Sequence, residues 1–149
     1  MAVVNLAVPK AEWRSLTFYA PAVRVLGLLV LLAATAFTIW ARLALGAMWS
    51  GAPAVKQEHQ LRTNGPYRIT RHPIYTGMLG MFLGCLLVTG GGRWITPFPV
   101  FLVLLEIKLH IEERLMRAEF PDDYPRYRQQ VPQLVPGLTL LSRRRMAVG

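Results

Sequence analysis

The chain has little cysteine, little histidine and few acidic residues. A single cysteine, Cys85, in 149 residues excludes a disulfide framework and a thiolate zinc site. Set within an apolar run, it reads as a small packed or lipid-facing residue. His59, His72 and His110, three in all, have no ligand-type spacing and no carboxylate triad with them, so no metal is expected. Only 8 Asp and Glu stand against 17 Lys and Arg, a formal net charge of +9. Such a balance suits nucleic acid, an acidic ligand or anionic lipid. Nucleic acid ranks last, because the basic residues form no aromatic-interleaved stripe and several flank long apolar segments, where headgroups are the nearest anions. A cleaved secretory signal is missing too: the first apolar run begins late and no clean small-residue site follows it, so the first span is expected to stay in the mature protein. No internal repeat or low-complexity stretch is visible.

What is abundant is apolar surface. A hydrophobic share of 53% against 17% charged exceeds what a soluble core of this size needs. The length suits one domain, taken as residues 1–149, with no room for a separate soluble catalytic unit. The expected fold is an all-α integral membrane protein with about three transmembrane helices.

The run VLGLLVLLAATAFTIWA is uncharged, is bracketed by Arg24 and Arg42 and ends near Trp40; at ~1.5 Å per residue it covers most of a ~30 Å hydrocarbon layer. It marks a first span at about 21–44. Residues 46–72 carry the turn chemistry of a loop. Pro73 can open a helix and Gly90-Gly91-Gly92 can stop one, which places a second span at about 73–91. A third follows at about 94–112 after a tight hairpin, and its helix continues through IEERLMRAEF because no breaker comes before Pro121. Lys and Arg concentrate in the 46–72 loop and after Lys108, which puts that loop and the 113–149 tail on the cytoplasmic side. The amino terminus then lies outside with Lys10 and Arg14 translocated, or residues 1–20 form an interfacial helix that does not cross. Three helices bury little surface alone, so a homo-oligomer is compatible with the sequence.

On the third helix Glu106, His110, Glu113 and Arg117 share one face, with Lys108, Glu112 and Glu119 beside it. Ionisable residues at membrane depth face a cavity or each other. The plain alternative pairs Glu106 with Lys108 and Glu113 with Arg117 as surface ions. Against it, Arg71 and His72 lie at the mouth of the second helix, so two polar surfaces meet at one membrane boundary. In Gly65-Pro66-Tyr67 through Gly77, glycine and proline have structural tasks, Gly77 permitting close helix packing. Two tyrosines, an arginine and a histidine are left over at a helix amino terminus, where an anion such as an amino-acid carboxylate is favoured.

The strings HQLRTNGPYRITRHPIYTG and HIEERLMRAEFPDDYPRYRQQVPQLVPG resemble the signature of the isoprenylcysteine carboxyl methyltransferase and phospholipid N-methyltransferase superfamily: H-x-L-V-T-x-G-P-Y, R-H-P-x-Y-x-G, a helical hairpin, E-E-x-x-L, then Y-x-x-Y before a proline. The likeness spans residues 59–137. It departs at Arg62, where valine is frequent, and at Phe120-Pro121, where Phe-Gly is frequent. The resemblance implies a methyltransferase using S-adenosylmethionine. His59, Gln60, Leu61, Tyr67, His72, Pro73, Ile74, Tyr75 and Glu112 would lie along that cofactor, and Lys108 would meet the substrate. Arg71 and Glu113 would be catalytic, with Tyr124 and Tyr127 as weaker assignments and Glu113 or His110 as base for a thiol or hydroxyl acceptor. The expected acceptor is lipid-like, isoprenoid-bearing or otherwise hydrophobic, though a small thiol also fits. Two rivals stand beside this reading: an NAD(P)H-dependent membrane reductase of the steroid reductase type, which ends in a similar segment, and a non-enzymatic lipid-binding membrane protein.

Overall fold

The computed structural model describes residues 20–46 and 61–135. His59, Gln60, the suggested interfacial helix at 1–20 (save Ala20) and the tail beyond 135 lie outside the described residues. Within them the fold is all-α: α1 (Pro21–Leu45), a 3-10 turn (Gly65–Arg68), α2 (Pro73–Thr89), a second 3-10 turn (Gly92–Ile95), α3 (Pro97–Glu119) and α4 (Asp123–Gln130). No β-strand occurs among the described residues.

Each helix begins and ends for a local reason. Proline opens α1, α2 and α3, where its missing N–H costs nothing and its fixed φ is already helical. Arg42, in the last turn of α1, donates from Nη1 to the Gly46 carbonyl at 3.1 Å, which suits the negative end of the helix dipole. Gly90 terminates α2 at φ 82° in the left-handed region, its N–H returning to the Leu86 carbonyl, a conformation that glycine adopts without a Cβ penalty.

Of these, α1 is long and apolar enough to cross a membrane, and its surface is largely exposed leucine, valine and isoleucine. Helix α2 is apolar but shorter, at ~25 Å by its rise per residue. The second helix stops at Thr89 instead of 91, and the third starts at Pro97 instead of 94 because the intervening residues wind as a 3-10 turn. As expected, α3 then runs on without a break to Glu119.

Packing differs between the helix pairs. Gly27, Gly77, Gly80 and Gly84 let α1 and α2 touch along their length. A Cβ added at Gly84 would sit 2.8 Å from the Leu31 nitrogen and 2.9 Å from the Gly27 carbonyl oxygen. Backbone thus lies on backbone, the small-residue seam common between membrane helices. The tight hairpin anticipated between the second and third helices is not what forms. There α2 and α3 stay apart at the backbone and are bridged by side chains: Phe82 lies 5.0 Å from Phe98 and 5.4 Å from Phe101, centroid to centroid. The turn is long enough to let the helices stand apart, and large rings fill what glycine does not close.

Past α3, Tyr124, Tyr127 and Val131 form a small core with Leu61, Met116 and Phe120 against it. The spacing of these α4 residues puts them on one face, which folds the C-terminal segment back beneath the helices.

Candidate active site

The residues before α2 are tied to the chain that follows α4. The Arg71 N–H donates to the Pro132 carbonyl at 2.9 Å and that of His72 to Gln133 at 3.2 Å. The hydroxyls of Thr70 and Thr76 donate to the carbonyls of Gln133 and Leu134 at 2.6 and 2.7 Å. All four bonds end on carbonyl oxygens of 132–134, that of Gln133 accepting two, so this segment acts as a strap of acceptors across the entrance of α2. Tyr127 adds a further tie, its hydroxyl donating to the Tyr67 carbonyl at 2.6 Å.

Arg71 completes the fastening. Its Nη2 meets Glu113 Oε1 at 2.5 Å, with both side chains 7% exposed. Its Nη1 donates to the carbonyls of Arg128 (3.0 Å) and Val131 (3.4 Å). A planar guanidinium is suited to this, since one fork can hold a carboxylate and two carbonyls together. Arg128 approaches the other Glu113 oxygen at 3.7 Å.

His72 lies between two carboxylates. Consecutive residues on a helix point about 100° apart, and Glu112 and Glu113 use that angle to flank the imidazole: Nδ1 is 3.6 Å from Glu112 Oε2 and Nε2 is 3.6 Å from Glu113 Oε1. These distances are charge pairings, too long for hydrogen bonds. His72 Nε2 is buried with no hydrogen-bond partner, as are Arg71 Nε and the Tyr124 hydroxyl. Burial opposes charging of the imidazole, but the neighbouring Glu112 and Glu113 outweigh it and hold its pKa above the usual value. At Glu113 burial pushes the carboxyl up, and His72 with the charges of Arg71 and Arg128 outweighs that, leaving it below the ordinary carboxylate range. Burial raises the phenols of Tyr67 and Tyr127 as well, and that of Tyr124 to about 12.

Glu112 is the more open of the two acids, 26% exposed at its side chain. Its Oε1 accepts from the Tyr75 hydroxyl at 2.6 Å and pairs with Lys108 Nζ at 3.2 Å. That ammonium stands 6.0 Å from the Tyr75 ring centroid. Arg71, His72, Tyr75, Lys108, Glu112 and Glu113 therefore form one cluster, with Pro73 buried and Ile74 half-buried in the first turn of α2 beside it.

Other expected residues sit elsewhere. Leu61 packs on the Tyr124–Tyr127–Val131 core. His110 pairs with Glu106 at 3.2 Å, the side chains 72% and 58% exposed, on a side of α3 that no element covers among the described residues; as a candidate base it stands apart from the cluster. Arg117 donates to the Glu113 carbonyl, not to its carboxylate, and Lys108 takes Glu112, not Glu106, as its partner. Thr70, Thr76, Arg128 and the strap carbonyls had not been singled out. Backbone acceptors carry no side-chain signal, and a threonine near a helix start resembles any capping residue.

A half-open groove of about 670 Å³ runs beside the cluster, between the residues preceding α2 and α4, with Leu61, Thr63, Arg68, Asp123, Tyr127 and Gln130 among its walls. Val131, another wall residue, presents its carbonyl to Arg71.

Residues 22–123 match the family model for phospholipid methyltransferases. Among curated proteins, methanethiol S-methyltransferase 2 of Bradyrhizobium diazoefficiens is 38% identical over 84 residues, 56% of this chain and 31% of that protein. The protein-S-isoprenylcysteine O-methyltransferase of Schizosaccharomyces pombe is 31% identical over 83 residues, 54% of this chain and 34% of its own. The cobalt-zinc-cadmium resistance protein CzcN of Cupriavidus metallidurans is 26% identical over 125 residues, 83% of this chain and 54% of its own. The chain spans about a third of the length of the first two relatives.

Proposed function

The chain belongs to the phospholipid methyltransferase family, and we propose that it transfers a methyl group from S-adenosylmethionine to a hydrophobic acceptor at the membrane boundary. The observation that carries this reading is the cluster in which Glu112 and Glu113 flank His72 at the mouth of α2. A carboxylate pair suits the cationic end of such a cofactor, and the orphaned His72 Nε2 marks a polar group still without a hydrogen-bond partner. The adjoining groove is large enough for a nucleoside. Its apolar Leu61 and Tyr127 suit a flat ring, and its Asp123 can accept from ribose hydroxyls.

When bound, S-adenosylmethionine supplies an already electrophilic methyl group. The protein's part is then alignment and exclusion of water. In this reading Glu112, the more exposed acid, meets the ligand, and Tyr75 holds that carboxylate in place. Lys108, on the same oxygen and at the open side of the cluster, faces the acceptor. Arg71 and Glu113 act together beneath: the ion pair fixes the strap and, through Glu113, one flank of His72. Glu113 is the nearest candidate to take a proton from a thiol or hydroxyl acceptor, whereas an amine or carboxylate acceptor needs little such help.

Leucine-rich α1, apolar α2 and the apolar first half of α3 support a multi-pass membrane protein in one domain. Concentration of Lys and Arg around the cluster supports a cytoplasmic site. The relatives named for methanethiol and for protein isoprenylcysteine suggest a sulfur or carboxylate acceptor, and a membrane-boundary site favours the more hydrophobic one.

Thermal unfolding of the detergent-solubilised protein with S-adenosylhomocysteine or NADPH tests the cofactor. Stabilisation by S-adenosylhomocysteine alone is expected; stabilisation by NADPH alone would instead favour a reductase, and by neither a non-enzymatic lipid binder. Methyl transfer from labelled cofactor into a total lipid extract, followed by mass spectrometry, identifies the acceptor.

A further inference from the structure

The charges around His72 do not balance evenly. From α3 come Glu112, Glu113 and Lys108; from its own loop and α2 come Arg71 and the phenols of Tyr67 and Tyr75; from α4 come Arg128 and Tyr124. Arg71, Lys108 and Arg128 already offset the two carboxylates. A protonated imidazole between them is one further cation, tolerated because each ring nitrogen has a carboxylate oxygen at 3.6 Å. Among all these groups, only an imidazole ordinarily gains or loses its charge near neutral pH, since guanidinium and ammonium keep theirs.

We propose that His72 is the residue by which this protein tells a sulfonium ligand from the neutral thioether left after methyl transfer: the imidazole keeps its proton beside a thioether and releases it to solvent when a sulfonium charge arrives at the Glu112–Glu113 pair. The proposal rests on the reading that the cationic end of S-adenosylmethionine meets these carboxylates. Cofactor and spent product share the same ammonium, carboxylate and nucleoside, and differ only by the methyl group and its positive charge. A second cation among the same carboxylates competes with the imidazolium for the same field, and the chain has one proton there that it can give up. Binding of the sulfonium is then linked to proton loss, and binding of the thioether is not. Discrimination against product thus rises with pH, and bound product becomes easier to displace as the solution turns more alkaline.

Isothermal calorimetry on the full-length protein in detergent, with S-adenosylmethionine and S-adenosylhomocysteine in two buffers of different ionisation enthalpy, counts the protons. Below the imidazole pKa, close to one proton leaves with the sulfonium and close to none with the thioether, and the affinity ratio of cofactor to product rises about tenfold per pH unit. Equal proton release with both ligands, or a ratio independent of pH, overturns the proposal without touching the cofactor assignment. Failure of both ligands to bind overturns both. In His72→Gln the difference in proton release is lost, while His110→Gln, whose exposed ring stands apart from the cluster, retains it; the reverse result rejects His72. Should His72→Gln not fold, the comparison of the two ligands on the unaltered protein decides by itself.

Discussion

Helix α2 meets α1 backbone to backbone through glycine, and meets α3 only through side chains: rings at one end, charges at the other. In the first interface nothing but hydrogen fits at Gly84, and the polar group against Gly77, the Thr38 hydroxyl, is spent on the Ala34 carbonyl of its own helix. In the second, a wider spacing leaves room for Tyr75, His72 and Glu112 to approach one another. Close packing joins the first pair, and the more widely spaced pair carries the polar cluster. The same helix serves both because its small residues face α1, while Tyr75 and Phe82 face α3.

The sharpest way to break the second interface is Arg71→Ala. It leaves Glu113 buried without its main partner and releases the Arg128 and Val131 carbonyls. Removing one member of a buried pair costs about 3–5 kcal/mol. A large fall in Tm with faster proteolysis after Val131 is expected; an unchanged melt would show that the strap holds without it. Next comes Gly84→Leu, which forces α1 and α2 apart at a backbone contact. Overpacking costs about 1–3 kcal/mol, and here both a lower Tm and weaker S-adenosylhomocysteine binding should follow, because α2 moves with the seam.

Titration acts on the polar interface alone. Glu113 has a depressed pKa, so its contribution to stability is complete above the ordinary carboxylate value of about 4.3 and is lost as the pH falls through its folded value. His72 has a raised pKa; its contribution is complete below about 6.5 and is lost as the pH rises through its folded value. The melting temperature should therefore plateau between those limits and decline on both sides. In His72→Gln the alkaline decline should be absent, and its persistence would place the titrating group elsewhere. The smallest effect belongs to the apolar end: Phe82→Leu keeps most of the burial and loses ring geometry worth about 0.5–1.5 kcal/mol, detectable as a slight fall in Tm with cofactor binding unchanged.

Much of this was legible beforehand. Pro73 and Gly90 delimited α2 to within two residues, since proline and glycine act through local backbone geometry. The grouping of Arg71, His72, Tyr75, Lys108, Glu112 and Glu113 followed from two motifs at the mouth of adjoining helices. Less legible was the division of tasks inside that group. From spacing, Glu106 and His110 belong to the same stripe as Glu113 and look equally placed. In the fold they are exposed, on a side of α3 that no described element covers. Tyr124 and Tyr127 carry the resemblance to the family, yet their positions are those of a packed core.

By itself, the sequence determined the all-α class, the approximate limits of the helices, the apolar surface of α1 and the meeting of two polar segments at one boundary. Those properties depend on composition, period and residues a few places apart. Only the tertiary structure decided that α2 lies tight against α1 and open towards α3, that Arg71 is bound into a strap of carbonyls, and that His72 sits between two acids. Each of these depends on groups brought together from distant parts of the chain, and several of those groups are backbone oxygens that every residue possesses.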